Sequence, residues 1–370
     1  MNPFLLKGYK SPEYFCNRDK ERDKIIHSIR NQQDITLYAF RRIGKSALIR
    51  HVFYYLKNEF NCIFADIWGT TSLGGFLNEL ANATIQSNVF SKRSFGKKLT
   101  DFIKSIGASL SIGIDGKPSL DIMYHDKNQA FISLEELLFF LNQQRTPVVL
   151  AIDEFQEIRK YGESIPLEAK FRTLAQKCQN ICFVFSGSEH HLLSEIFSRF
   201  NKPFYQTTRM MELGKIPLHD YRNFILSHFN RGKRKIDRIV IDHILNICHQ
   251  HTYYVQAICN YIYGLSKWPA SVSDFENDYY EYISEKKVFY SELPQRFTTH
   301  QFSTIKAFAR MGLVKSPTSA DFMRMAEVKG ASSMQRIIKT LFDKQVIIKD
   351  NGFYRLYDVF LEHYLRYILK

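Results

Sequence analysis

Ile35-Thr36-Leu37-Tyr38-Ala39-Phe40-Arg41-Arg42-Ile43-Gly44-Lys45-Ser46 decides how this chain is read. Ile35–Ala39 is a short apolar run of strand character, and Ala47–Leu56 beyond it follows a helical pattern. A tight turn between strand and helix exposes successive backbone N–H groups. A lysine at its end can reach β- and γ-phosphates, a hydroxyl can bind Mg²⁺, and the helix N-terminus adds partial positive charge. Gly44-Lys45-Ser46 supplies these parts, so Ala39, Phe40, Arg41, Arg42, Ile43, Gly44, Lys45, Ser46 and Ala47 form the expected cradle for ATP or ADP. Ala39 stands where such loops usually carry their first glycine. Alanine is small, and whether that strand-end position needs positive φ stays open.

Val148-Val149-Leu150-Ala151-Ile152-Asp153-Glu154 follows about a hundred residues later. An apolar strand ending in two carboxylates is costly unless they face something cationic. Asp153 is expected to hold Mg²⁺ with Ser46, and Glu154 to polarise an attacking water, with Lys45 completing the catalytic set. The plainer reading is an acidic cap on a helix opening at Phe155.

Further apolar runs at Cys62–Ile67, Ile181–Ser186 and Met210–Leu213 alternate with helical patterns, which reads as a parallel sheet with helices on both faces. Asp115-Gly116 between alternating segments predicts a hairpin within an insertion at 100–125. A helix is expected over Arg18–Gln32. From Pro217 to about Tyr290 the pattern is helical throughout. Helices at Thr299–Met311, near Ala320–Val328 and from Ser332 to Asp343 then precede runs Val346–Ile348 and Phe353–Leu356 around Asn351-Gly352, as in a winged helix-turn-helix. The expected domains are a core over 1–216, a helical lid over 217–290 and a winged helix over 291–370.

Ser186 and Ser188, at the tip of Ile181–Ser186, are candidate sensors of γ-phosphate or water, or simply a capped turn. Arg199 and Arg209 are candidate arginine fingers. His190, His191, His249 and His251 match no metal-ligand spacing. The six scattered cysteines include no CxxC pair and read as reduced thiols.

The net charge of +14 suits polyanions or plain solubility. Apolar residues make up 45% and charged residues 24%, which excludes a disordered chain. No run approaches the ~18 apolar residues of a membrane span. The start Met1-Asn2-Pro3-Phe4-Leu5-Leu6 lacks the layout of a secretory signal, so a cytoplasmic location is expected.

Together these residues resemble prokaryotic AAA/STAND-like P-loop ATPases, the archaeal-type ATPase-domain family. Tyr14-Phe15-Cys16-Asn17-Arg18-Asp19-Lys20-Glu21 looks like its aromatic–Asn–Arg lead-in beside the adenine, which implies a nucleotide-side role for Arg18. Arg41-Arg42-Ile43-Gly44-Lys45-Ser46, Ile152-Asp153-Glu154-Phe155-Gln156-Glu157 and Gly187-Ser188 are similar to the phosphate loop, acidic strand and next strand of that family. Two departures stand out: Gln206 and Thr207 replace a common arginine, and Gln250-His251-Thr252-Tyr253-Tyr254 replaces a Gly-His-Pro-Tyr-Tyr pattern. The resemblance implies a P-loop core, a helical lid and a winged helix, with ATP binding and hydrolysis.

Residues 291–370 hold 13 Lys/Arg against 7 Asp/Glu, a net of +6. Arg336, Lys339, Lys344, Lys349 and Arg355 fall on the third helix and wing, where they suit DNA phosphates. A protein client or an intramolecular role fits a winged helix equally. The competing functions are an ATPase switch that repositions lid and winged helix, a weakly hydrolysing nucleotide-bound scaffold, and an ATP-regulated DNA-binding protein. A homo-oligomer is compatible with all three.

Overall fold

A computed structural model describes residues 2–87, 89, 95–112, 118–122, 126–200 and 202–368. The predicted hairpin turn at Asp115-Gly116, and the side chains of His190 and His191, lie outside what is described. By internal contacts the chain divides into two compact units, Lys7–Ile216 and Pro217–Lys370, the second also including Met1–Leu6.

The first unit is built on strands β1 (Ile35–Tyr38), β2 (Asn61–Asp66), β5 (Val148–Asp153), β6 (Ile181–Gly187) and β7 (Arg209–Glu212); between β2 and β5 come β3 (Ala108–Ile112) and β4 (Pro118–Ile122). The five run parallel in the order β2-β5-β6-β1-β7, and β3 pairs only with β4, antiparallel. Period-two alternation sends side chains to two cores. Val148, Leu150, Ile152, Phe183 and Phe185 face one layer. Val149, Ala151, Cys182 and Val184 face the other. Being apolar on both sides, β5 and β6 read as continuous apolar runs, and both are buried at every position. Phe155, Phe171, Phe185, Phe197 and Phe204 pack ring against ring in the first layer, with centroids 4.5–6.3 Å apart.

The parallel sheet puts the C-terminal ends of β1, β5 and β6 on one rim, the end where α/β proteins bind ligands. The helix after β1 runs Lys45–Leu56, two residues earlier than expected. The first helix spans Asp19–Arg30. The insertion adds a helix, Phe95–Ser105, that the sequence pattern did not announce.

The second unit begins with helices Leu218–Arg231, Arg238–Ile247, Thr252–Gly264, Val272–Ser284 and the short Lys287–Tyr290. Met1–Leu6 belongs with them and not with the core expected over 1–216. The reason is an anchor: Phe4 is fully buried, 5.5 Å from the Phe229 ring and 5.8 Å from Tyr263, and Asn260 Nδ2 donates to its carbonyl at 2.6 Å. Thr299–Met311, Ala320–Met325 and Ala331–Asp343 follow, then the antiparallel wing of β8 (Ile347–Asp350) and β9 (Phe353–Leu356). A last helix, Val359–Tyr367, was not expected; all its residues from Val359 to Leu365 are buried. It joins the winged helix to the preceding helices. Phe360 packs on Tyr254 at 4.8 Å, Tyr290 Oη donates to Asp358 at 2.9 Å, and Tyr279 hydrogen-bonds His363.

Candidate nucleotide site

The phosphate loop leaves β1 with Ala39 buried and outside the positive-φ region, so the missing first glycine puts no strain on the chain. Strain falls on Arg42 (φ 61°) instead, while Gly44 takes φ 109° without it. Gly44 precedes the first helical residue, and its φ is one that L side chains avoid. Helix formation then aims the N-terminus at the loop and carries Lys45 and Ser46 to the rim.

Ser46 and Lys45 meet the acidic strand there. Ser46 Oγ donates to Asp153 Oδ2, and Ser186 Oγ donates to Asp153 Oδ1 at 2.5 Å, so hydroxyls from two segments hold both carboxylate oxygens. Ser186 therefore props Asp153. Lys45 is only 5% exposed, with Nζ 3.4 Å from the Ala39 carbonyl. Burial pulls its ammonium below the ordinary lysine value, Glu154 and Asp153 push it back up, and Arg41 lowers it further. A buried cation between two carboxylates and a loop of backbone N–H groups fits a polyanion with a counter-cation. Ser46 and Asp153 supply hard oxygens of the kind Mg²⁺ prefers.

Glu154 adopts φ 57° immediately after β5, which turns its side chain back over the rim. Its Oε2 accepts from Gln156 Nε2 at 2.5 Å and from Ser188 at 2.8 Å (Oγ) and 3.3 Å (N). Arg41 Nε lies 3.4 Å from the same Ser188 Oγ, with Nη2 3.5 Å from Glu189 and the guanidinium 4.8 Å above the Trp68 ring. The stretch after Glu154 is a 3-10 turn, Phe155–Lys160, as the plainer reading of an acidic cap implied, although no side-chain cap bond forms.

Sequence reasoning missed two groups here. Asp66 ends β2 opposite Asp153 in register, and its carboxyl is raised by burial and then by Asp153 and Glu154. A second strand ending in a carboxylate was the available signal. Gln156 stood inside the stretch that resembles the family's acidic strand, but no role was read from it.

Other candidates stand apart. Arg209 opens β7 opposite Ile35, at the far end of β1 from the loop, and its Nη1 donates to Ser28 Oγ at 3.1 Å. That corrects its reading as a finger within its own chain: its strand end faces away from the phosphates. Arg199 is exposed and paired with Glu195 at 2.7 Å. Arg18 is buried, with Nη1 on Glu21 at 2.8 Å and Nη2 on the Gly214 carbonyl at 2.7 Å, so its guanidinium ties the lead-in to the segment after β7.

On the winged helix, Arg336, Lys339, Lys344 and Lys349 are exposed. Arg355 is 1% exposed, bonded to the Leu356 carbonyl and Asp350, which corrects its reading as a phosphate contact: a guanidinium spent on its own wing is not presented to a duplex. His249 pairs with Glu362 at 3.4 Å, and His251 is buried. Among the described residues no group of three His, Cys, Asp or Glu is placed to share a metal, and no helix is long and apolar enough to cross a membrane.

Comparison with known proteins agrees with this geometry. Residues 15–235 match the model for the ATPase domain predominantly from Archaea, and residues 288–367 match that of the "Probable winged helix domain". No curated protein matches the chain. Among solved structures, the Walker-type ATPase of Pyrococcus abyssi superposes with a TM-score of 0.67 at 18% identity, covering 98% of this chain and 99% of that one. The Aeropyrum pernix ORC2 protein (ADPNP-ADP complexes) gives 0.59 at 13%, covering 99% and 97%. The Aeropyrum pernix ORC1 protein in complex with DNA gives 0.55 at 12%, covering 100% and 97%. At these identities the superpositions speak for fold alone, but the first family match spans more than half of the chain, which therefore belongs to the archaeal-type ATPase-domain family and is an ATPase with a C-terminal winged helix.

Proposed function

We propose that the protein is an Mg²⁺-dependent ATPase acting as a nucleotide switch, with hydrolysis in the core changing how the lid and winged helix are presented. The observation carrying the site is the contact of Ser46 with Asp153 beside the buried Lys45. Lys45 grips the β- and γ-phosphates, Ser46 and Asp153 hold the cation, and Glu154 orients and deprotonates the attacking water. Bound Mg²⁺ neutralises charge developing on the phosphate oxygens. Because the lid helices and winged helix share one compact unit, they are proposed to move together. Calorimetry with Mg-ATP tests the site: Lys45→Ala should weaken binding by roughly 100-fold or more, the loss of a desolvated charge pair. Wild-type protein that binds no ATP ends this reading.

One observation favours a second reading, in which ATP regulates binding to duplex DNA. Arg336, Lys339, Lys344 and Lys349 all stand exposed on the third helix and the wing. Their charge is of the kind that contacts backbone phosphates. Duplex affinity should fall steeply with salt, and Arg336→Ala with Lys339→Ala should reduce the salt slope by about 2. No affinity at low salt excludes DNA.

A further inference from the structure

We infer that Gln156 is a positioning residue that sets the orientation of the Glu154 carboxylate. The inference rests on Glu154 acting as the base. Gln156 is fully buried although it is a polar side chain three residues past the strand end. The 3-10 turn that starts at Phe155 folds it back, so that Nε2 donates to Glu154 Oε2. Its own Oε1 is buried with no hydrogen-bond partner. Nature rarely leaves a buried amide half-satisfied, and here the satisfied half is the one facing the base.

Space for this arrangement comes from Gly187. A Cβ there would lie 2.0 Å from Gln156 Oε1 and 2.9 Å from Leu193 Cδ1. Gly187 does not have positive φ, so backbone conformation does not demand glycine at this position. Room for the buried amide does. Ser188, the next residue, closes on Glu154 Oε2 from the other side. One carboxylate oxygen is thus clamped by donors from two segments, which among the described residues leaves Oε1 to a water. Arg41 touches Ser188 Oγ, which gives the phosphate loop a route to the same clamp.

Gln156→Met keeps length and removes the donor. Steady-state turnover of Mg-ATP should show kcat reduced roughly 10- to 100-fold, the scale of a catalytic group misplaced by about 1 Å. KM for ATP and the Kd for ADP by calorimetry should stay within about twofold, since nothing gripping the phosphates has changed. In a Glu154→Gln background the same substitution should cost no further turnover, because the group it positions is gone. Gly187→Ala perturbs the pair from the other side and should also lower kcat with KM retained, which keeps the test decisive if Gln156→Met folds poorly. Turnover of Gln156→Met equal to wild type, or an undiminished effect in the Glu154→Gln background, overturns the inference. Wild-type protein that binds ATP without hydrolysing it instead takes down the hydrolytic reading together with this one.

Discussion

At the C-terminal rim of the core sheet Lys45 lies buried among Asp153 and Glu154, whereas at the opposite end the half-buried Asp34 accepts from the Phe183 amide at 2.8 Å. Each end therefore buries ionisable groups, but in different company. Both Asp153 oxygens take hydroxyl donors and Glu154 takes three donors, with a cation close by. Asp34 has none of this, and burial drives its carboxyl from 3.8 up to about 6. Charge that is held by several donors beside a buried cation is charge kept for a ligand. Charge that is merely desolvated helps fasten strand to strand.

Glu154→Gln probes the rim most sharply. It preserves size and hydrogen-bond reach while removing the base, so turnover measured by phosphate release should fall by roughly 10²- to 10⁴-fold with ATP affinity retained. Turnover unchanged by this substitution breaks the comparison, for it makes the rim carboxylate as idle as the buried one.

Asp34→Asn probes the other end. The folded-state value of about 6 lies above the ordinary 3.8, so the folded protein binds this proton more tightly than the unfolded chain does. The stability contributed by the protonated form is complete below about 3.8 and is lost as pH rises through about 6. Asparagine stays neutral and still accepts from the Phe183 amide. The variant should therefore be more stable than wild type at pH 8, by up to about 3 kcal/mol at 1.36 kcal/mol per unit, with the difference shrinking towards pH 4. Urea titrations at the two pH values measure it. An equal midpoint at pH 8 means that Asp34 finds compensation like that of the rim.

How far the sequence disclosed this contrast depended on what each residue's role required. Strands β5 and β6 were legible because burial on both faces leaves an uninterrupted apolar run. Ser46 and Asp153 were legible because phosphate and cation chemistry restricts both residue type and spacing. The role of Gln156 was hidden, since its placement depends on a 3-10 turn and on a Cβ missing from Gly187, thirty-one residues away. Charge misled most. Arg355 and Arg209 look alike in sequence to an exposed or catalytic arginine, but Asp350 takes one and Ser28 the other.

Arg209→Ala carries the smallest expected effect and the clearest separation of the two ends. The guanidinium donates to Ser28 Oγ, and Ser28 is itself fully buried and donates to Gln33 Oε1 at 3.1 Å. Removing one such hydrogen bond should cost about 1 kcal/mol of stability. Turnover should be unchanged, because Arg209 pairs in register with Ile35 while the phosphate loop begins past Tyr38, at the other end of the strand. An arginine that stabilised transferring phosphate would instead cost about 10³-fold or more. Such a loss in Arg209→Ala, with the denaturation midpoint unmoved, requires this end of the sheet to reach a nucleotide, and only one held by a second copy of the chain lies within its compass.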